Sequence, residues 1–182
     1  MAKVCIFLAD GFEEIEGLTV VDLLRRAKIE ITMVSITGKL EITGAHQIKV
    51  IADCLFDEYS YNDVDMLVLP GGMPGTINLG AHEGLVSLLK EFHEQGKYLS
   101  AICAAPSVLG EHGLLKGRCA TCYPGFEDKL IGATFTGNKV EIDSNIITSK
   151  GLGTSIDFAL SIITLLKGEE IAHNIGKAIQ YI

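Results

Sequence analysis

Uninterrupted apolar runs, separated by stretches with helical spacing and punctuated by glycine, set the pattern of this chain. Lys3 to Ala9 (KVCIFLA) shows no polar alternation, as expected of a strand covered on both faces. Ile29 to Ile36, Asp63 to Leu69 and Tyr98 to Ile102 repeat that pattern. Between them, Phe12 to Ala27 and Gly84 to Gln95 read as helices, the second with Leu85, Leu88, Leu89 and Phe92 as its stripe and Gly96 closing it. A helix from Ala104 to His112 follows the Tyr98 strand at once. Leu40 to Ile51 is a looser β excursion interrupted by Gly44, and Arg118 to Tyr123 is a short strand. Ala133 to Phe135, Lys139 to Ile142 and Asn145 to Thr148 are β pieces, the last two joined by an Asp143-Ser144-Asn145 turn. Gly151-Leu152-Gly153 leads into a helix capped by Thr154 with Asp157 three residues on, packed through Ala159, Leu160 and Ile163, and a last helix starts at Glu169. Strands alternating with helices predict an α/β fold, a mostly parallel sheet with helices on both faces.

Composition narrows the class. A chain of 182 residues with 48% hydrophobic and 21% charged residues fits one globular domain spanning 1–182. A net charge of −8 argues against nucleic acid or an anionic membrane as partner. No signal pattern precedes the first strand, and the longest apolar run, near Phe158 to Leu166, is too short to span a bilayer. The five cysteines are an odd and scattered set, which fits a reducing compartment better than a disulfide framework. A cytoplasmic protein is expected.

Three features carry candidate chemistry. Cys103 stands where an apolar strand gives way to a helix, flanked by Ala101, Ala104 and Ala105. A nucleophile there sits on a sharp turn above the sheet edge, beside N–H groups of the new helix whose dipole favours a thiolate. A buried, inert cysteine is the competing reading. Glu16 falls in the middle of the stripe formed by Phe12, Thr19, Val20, Leu23 and Ala27 when the first helix is plotted at about 100° per residue, whereas Glu14, Asp22 and Arg25 point elsewhere. Desolvation would keep such a carboxyl protonated near neutral pH. Gly71-Gly72 follows a strand and can turn backbone N–H groups toward a ligand. It lacks the Gly-Lys-Ser/Thr ending of a phosphate-binding loop, and no G-x-G-x-x-G follows the first strand, so no nucleotide cofactor is expected. Cys119 and Cys122 form a Cys-x-x-Cys, but on a strand they face opposite sides and no second pair appears, so no metal is expected. His46 reads as a surface histidine. In a parallel sheet, the turn before Glu16, the Gly71-Gly72 loop and Cys103 all collect at the carboxyl edge.

Gly11-Phe12-Glu13-Glu14-Ile15-Glu16, Leu67-Val68-Leu69-Pro70-Gly71-Gly72, Ala101-Ile102-Cys103-Ala104-Ala105-Pro106 and Thr148-Ser149-Lys150-Gly151-Leu152-Gly153-Thr154 together resemble the ThiJ/PfpI superfamily, in the branch of the parkinsonism-associated protein deglycase. The resemblance implies a flavodoxin-like α/β sandwich that forms a homodimer. It implies Cys103 as nucleophile, protonated Glu16 hydrogen-bonding its sulfur, and the N–H groups of Gly72 and Ala104 as an oxyanion hole. Many relatives carry a histidine in a Thr-His-Pro-like stretch where this chain has Cys122-Tyr123-Pro124, so Tyr123, with an ordinary pKa of about 10, replaces a base. The protease-like branch has a histidine directly after the cysteine, where Ala104 stands here, and His112 should point away. A Cys-His triad is not expected. Two functions follow: a cofactor-independent enzyme acting on a small reactive aldehyde or glycated adduct, or a redox sensor or chaperone in which Cys103 oxidises to a sulfinate.

Overall fold

The computed structural model describes residues 2–182. In chain order it runs β1 (Lys3–Leu8), α1 (Glu14–Arg26), β2 (Glu30–Ser35), a hairpin of β3 (Glu41–Thr43) and β4 (Lys49–Ile51), and β5 (Cys54–Leu55). Next come β6 (Met66–Leu69), α2 (Gly75–Ala81), α3 (Glu83–Glu94), β7 (Tyr98–Ile102) and α4 (Pro106–Glu111). Short β8 (Cys119–Ala120) and β9 (Thr134–Phe135) precede the hairpin of β10 (Val140–Asp143) and β11 (Ile146–Ser149), and α5 (Ser155–Lys167) and α6 (Glu169–Ala178) close the chain.

The main sheet has seven strands in the order β10-β11-β7-β6-β1-β2-β5, with only the β10–β11 pairing antiparallel. Strand alternation divides the core in two. Val4, Ile6 and Leu8 of β1 face α1 and α5, packing with Val20, Leu24, Phe158 and Ile162, while Cys5 and Phe7 face α3 and α4 with Leu85, Leu89, Phe92 and Val108. Each of these large side chains contributes about 1.5–3 kcal/mol by leaving water. The result is a flavodoxin-like three-layer α/β sandwich. Successive strands are added on one side of β1 up to β5 and on the other from β6 onward, so the strand order reverses at β1/β6, where such sheets open a crevice at their carboxyl ends.

Several local expectations need correction. Residues 75–81, to which the sequence pattern assigns no element, form α2; two glycines in seven positions hide its helical pattern. The helix after Cys103 starts at Pro106 rather than Ala104, because Cys103 to Ala105 are used in the turn. Of residues 118–123 only Cys119–Ala120 pair, with β9. Thr154 does not cap α5: its hydroxyl lies 2.7 Å from Ser149 Oγ and 2.9 Å from the Gly151 carbonyl oxygen, tying the Gly151 loop to β11 instead. Among the described residues, no helix is long and apolar enough to cross a membrane.

Candidate active site

Cys103 sits at the end of β7 with φ +66°, a left-handed conformation that a residue with a Cβ adopts only when its surroundings hold it there. Two backbone bonds do so. Its N–H donates to the Ser149 carbonyl at 2.9 Å, and its own carbonyl accepts from Tyr123 N–H at 2.8 Å. The turn lifts the sulfur toward the loop after β6. There Gly71 must be glycine, since a Cβ would stand 2.6 Å from Cys103 Cβ and 2.7 Å from Glu16 Oε2. Gly72, at φ +90°, turns its N–H toward the sulfur, joined by the N–H of Ala104.

Glu16, from the first turn of α1, reaches the same point and is only 1% exposed. Its Oε2 accepts the Gly71 N–H at 2.9 Å, while Oε1 makes no well-formed hydrogen bond. Burial pushes its pKa up to about 7, against the pull of the Cys103 thiol and the Gly71 N–H, and the nearby Glu13 carboxylate adds to the rise. A carboxyl that keeps its proton well above the usual carboxylate range is what the position of Glu16 on the apolar stripe foretells.

The thiol behaves differently from the sequence expectation. Burial first, then the charge and hydrogen bond of Glu16, push Cys103 up to about 12, and the N–H groups of Ala104 and Gly72 offset only part of this. The expected helix dipole is weak here because α4 has six residues and opens on Pro106, which has no N–H to offer. Cys103 and Glu16 therefore titrate as a pair holding one proton over a wide pH range, and the sulfur becomes a nucleophile only as the carboxyl is kept neutral.

The pair opens into a cavity of about 330 Å³ walled by Tyr123, Phe126, Met73 and Leu152 as well as by Cys103 and Glu16. A larger cavity, about 520 Å³, lies over α1 beside Ile15, Leu18 and Ile48, but it holds no nucleophile, so chemistry assigns the site to the smaller one. Tyr123 is 50% exposed at the mouth, with its ring edge where a Cβ on Gly151 would come within 3.2 Å. His112 is engaged with the Gly80 carbonyl at 3.1 Å rather than with the sulfur. Cys122 is in the core on the α3/α4 side and Cys119 is partly exposed; both are free thiols.

Sequence reasoning missed the surroundings of Glu13 and Glu14. Glu14, expected to point away from the core, is buried: its Oε1 accepts the N–H groups of His46 (2.8 Å) and Ile48 (3.3 Å), and its Oε2 lies 3.1 Å from His46 Nδ1. Glu13 Oε2 is 3.4 Å from the same nitrogen. The β3–β4 connection folds over the start of α1, a long-range cover that a helical projection does not contain. The acidic run Glu13-Glu14-Ile15-Glu16 was the available signal.

Residues 2–165 match the family model described as the DJ-1/PfpI family. Similar proteins include DJ-1 homolog B of Arabidopsis thaliana, 39% identical over 177 residues (97% of this chain, 40% of that protein), and the Parkinson disease protein 7 homolog of Danio rerio, 34% identical over 174 residues (93% and 92%). A protein of Pyrococcus abyssi named a deglycase is 33% identical over 168 residues (91% and 99%). The chain spans less than half the length of the two Arabidopsis relatives, 40% and 45%. Among solved structures, oxidized Toxoplasma gondii DJ-1 superposes with a TM-score of 0.96 at 35% identity, covering 100% of this chain and 99% of that one. Drosophila melanogaster DJ-1beta gives 0.94 at 32%, covering 100% and 98%. Shared sequence and shared backbone agree along the whole of the site-bearing sheet: this chain belongs to the DJ-1/PfpI family.

Proposed function

We propose that this protein is a cofactor-independent, cysteine-dependent enzyme that converts small 2-oxoaldehydes, or their adducts, into 2-hydroxyacids. The observation that carries this reading is the buried Glu16 carboxyl, pushed up to about 7, against the sulfur of a left-handed Cys103 at a cavity floor. A relative that bears the name deglycase supports the same chemistry.

In this reading the Cys103 sulfur adds to the aldehyde carbon while its proton is taken up by the pair, and the new oxyanion is met by the N–H groups of Gly72 and Ala104. Glu16 hands that proton to the oxyanion, giving the hemithioacetal. As carboxylate it then removes the hydrogen from that carbon and returns it to the neighbouring carbonyl carbon while the hydroxyl proton passes to the second oxygen, leaving a 2-hydroxyacyl thioester. Water cleaves the thioester, releasing the acid and restoring the thiol. The net reaction adds one water to methylglyoxal to give lactate. Tyr123 at the mouth contributes a hydrogen-bond donor.

The test is lactate formation from methylglyoxal by wild type, Cys103→Ala and Glu16→Gln. Loss of turnover in the first variant and a 10²-fold or greater fall in the second, roughly the worth of a positioned acid–base group, support the reading. Equal rates in wild type and Cys103→Ala remove the sulfur from the chemistry.

A second reading has Cys103 take two oxygens from two equivalents of peroxide, forming a sulfinate that Glu16 hydrogen-bonds. The oxidized form of the Toxoplasma gondii relative favours it. Mass spectrometry after mild peroxide treatment discriminates: oxygen appearing on Cys54 or Cys119 before Cys103 rules it out. In either reading the working species is a homodimer, to be checked by light scattering.

A further inference from the structure

The Cys103 cavity is unevenly charged. Glu13 and Glu16 both line it, and among the described residues no lysine, arginine or histidine does. Its larger side chains, Met73, Tyr123, Phe126 and Leu152, do little to screen a charge placed among them. Glu16 works on the proton of the sulfur. Glu13 takes no part in those steps.

Glu13 is nonetheless held in place. Its N–H donates to the Gly71 carbonyl at 2.8 Å, and Gly72 packs so closely on that nitrogen that a Cβ there would collide with it. It stands just ahead of α1, where a carboxylate ordinarily accepts helix N–H groups, yet its side chain makes no capping hydrogen bond. The carboxylate lies near enough to Glu16 for its charge to raise the pKa of that group. Its ion-pair partner among the described residues is His46, at 3.4 Å. That ring sits closer to Glu14, at 3.1 Å, and is 68% exposed, so it offsets the charge of Glu13 only in part.

A fixed negative charge is an odd companion for the N–H groups of Gly72 and Ala104. Those donors suit an oxyanion forming on a carbonyl bonded to sulfur, but they also attract any free carboxylate. Unopposed, they would collect carboxylates from solution and block the sulfur. A like charge in the wall opposes the entry of a ready-made anion and leaves a neutral molecule free to enter. The oxyanion of a bound aldehyde escapes this repulsion, because Glu16 supplies a proton as the charge forms.

We infer that Glu13 is the charge-selecting residue of the Cys103 cavity, admitting uncharged carbonyl compounds and turning carboxylates away. The selection itself is a property of the cavity. Its consequence rests on the carbonyl chemistry proposed above: 2-oxoaldehydes enter, whereas 2-oxoacids are refused and the 2-hydroxyacid product, once released, does not rebind.

Alkylation of Cys103 by a matched pair of reagents tests the selection without relying on turnover. Second-order rates at pH 8 are measured by mass spectrometry for iodoacetate and iodoacetamide, each normalised to its rate with 2-mercaptoethanol. The wild type is expected to disfavour iodoacetate by about 10-fold or more. The isosteric Glu13→Gln is expected to cut that discrimination at least threefold, the remainder coming from Glu16, and Glu13→Asp to keep it within twofold of the wild type. A general disturbance of the site moves both reagents together and leaves the ratio unchanged. A wild-type ratio equal to that of 2-mercaptoethanol overturns the proposal whatever the variants do. So does a discrimination that survives Glu13→Gln, or one lost equally in the Gln and Asp variants, which would assign it to shape. Methylglyoxal turnover run alongside separates the two ideas. Turnover without discrimination overturns the charge selection alone, and discrimination without turnover overturns the carbonyl reading while the charge selection stands.

Discussion

Glu14 and Glu16 lie two residues apart on one helix turn, both buried, and their surroundings move their carboxyl pKa values in opposite directions. Burial pushes Glu14 up, but its own backbone N–H, those of His46 and Ile48, and the His46 ring bring it below the usual carboxylate range. Glu16 has one firm N–H, from Gly71, and a thiol for a neighbour, so burial wins and its value rises to about 7. Glu14 meets more donors and lies nearer solvent than Glu16, and the two differences together make one an anchor and the other an acid.

That difference gives Glu16 a stability signature. The folded protein holds its proton between the ordinary 4.5 and about 7, a range in which the unfolded chain has released it. Stability therefore falls as pH rises through this window, by an amount on the order of 3 kcal/mol. Glu16→Gln removes the dependence. Urea midpoints are expected to match near pH 4.5 and to favour the variant by about 1–3 kcal/mol at pH 8.

Gly71→Ala places a methyl within 2.6 Å of Cys103 Cβ and 2.7 Å of Glu16 Oε2, against two groups that cannot both retreat. The expected cost is about 1–3 kcal/mol of stability, read by thermal unfolding. Turnover is expected to fall more than 10-fold, since a misplacement of about 1 Å can cost up to 10² in rate.

Tyr123→His returns a base to the mouth of the cavity, where the ring is half exposed and has room. Methylglyoxal turnover is expected to rise severalfold, with a new limb in the pH–rate profile near the ordinary histidine value of about 6.5. Tyr123→Phe tells the hydroxyl from the ring: little change is expected in either stability or the pH profile.

The β3–β4 connection is latched to α1 by His46, whose pKa is raised by its hydrogen bond to Glu14 and by the charges of Glu13 and Glu14. A raised histidine contributes in full below its unfolded value of 6.5 and loses that contribution as pH climbs through the folded one. Glu14, being lowered, contributes above its unfolded value of 4.5 and fails only in stronger acid. The gap in urea midpoint between wild type and His46→Ala is thus expected to be largest between pH 5 and 6 and to shrink by pH 9.

Apolar runs and glycines made the sheet, its parallel character and its carboxyl edge readable, because a strand buried on both faces leaves no other reading for KVCIFLA. Cys103 and Glu16 were legible for the same reason: each breaks a local pattern. What was not legible depends on contacts far apart in sequence. Glu14 looked outward because only residues 44–48, more than 30 positions on, cover it. The thiolate expected at Cys103 assumed a helix beginning one residue later, whereas the turn absorbs Ala104 and Ala105 and the nearest charge is the carboxyl of Glu16. α2 itself was unreadable through Gly75 and Gly80.

The pairing of one sulfur with one carboxyl around one proton is measured most directly by the pH dependence of Cys103 alkylation in wild type and Glu16→Gln. In the wild type the rate is expected to stay low through pH 9 and to climb only above it, because burial and the Glu16 charge hold the thiol near 12. In Glu16→Gln the same rise is expected at least one pH unit lower, while turnover falls about 10²-fold or more. Superimposable profiles for the two proteins would contradict the pairing.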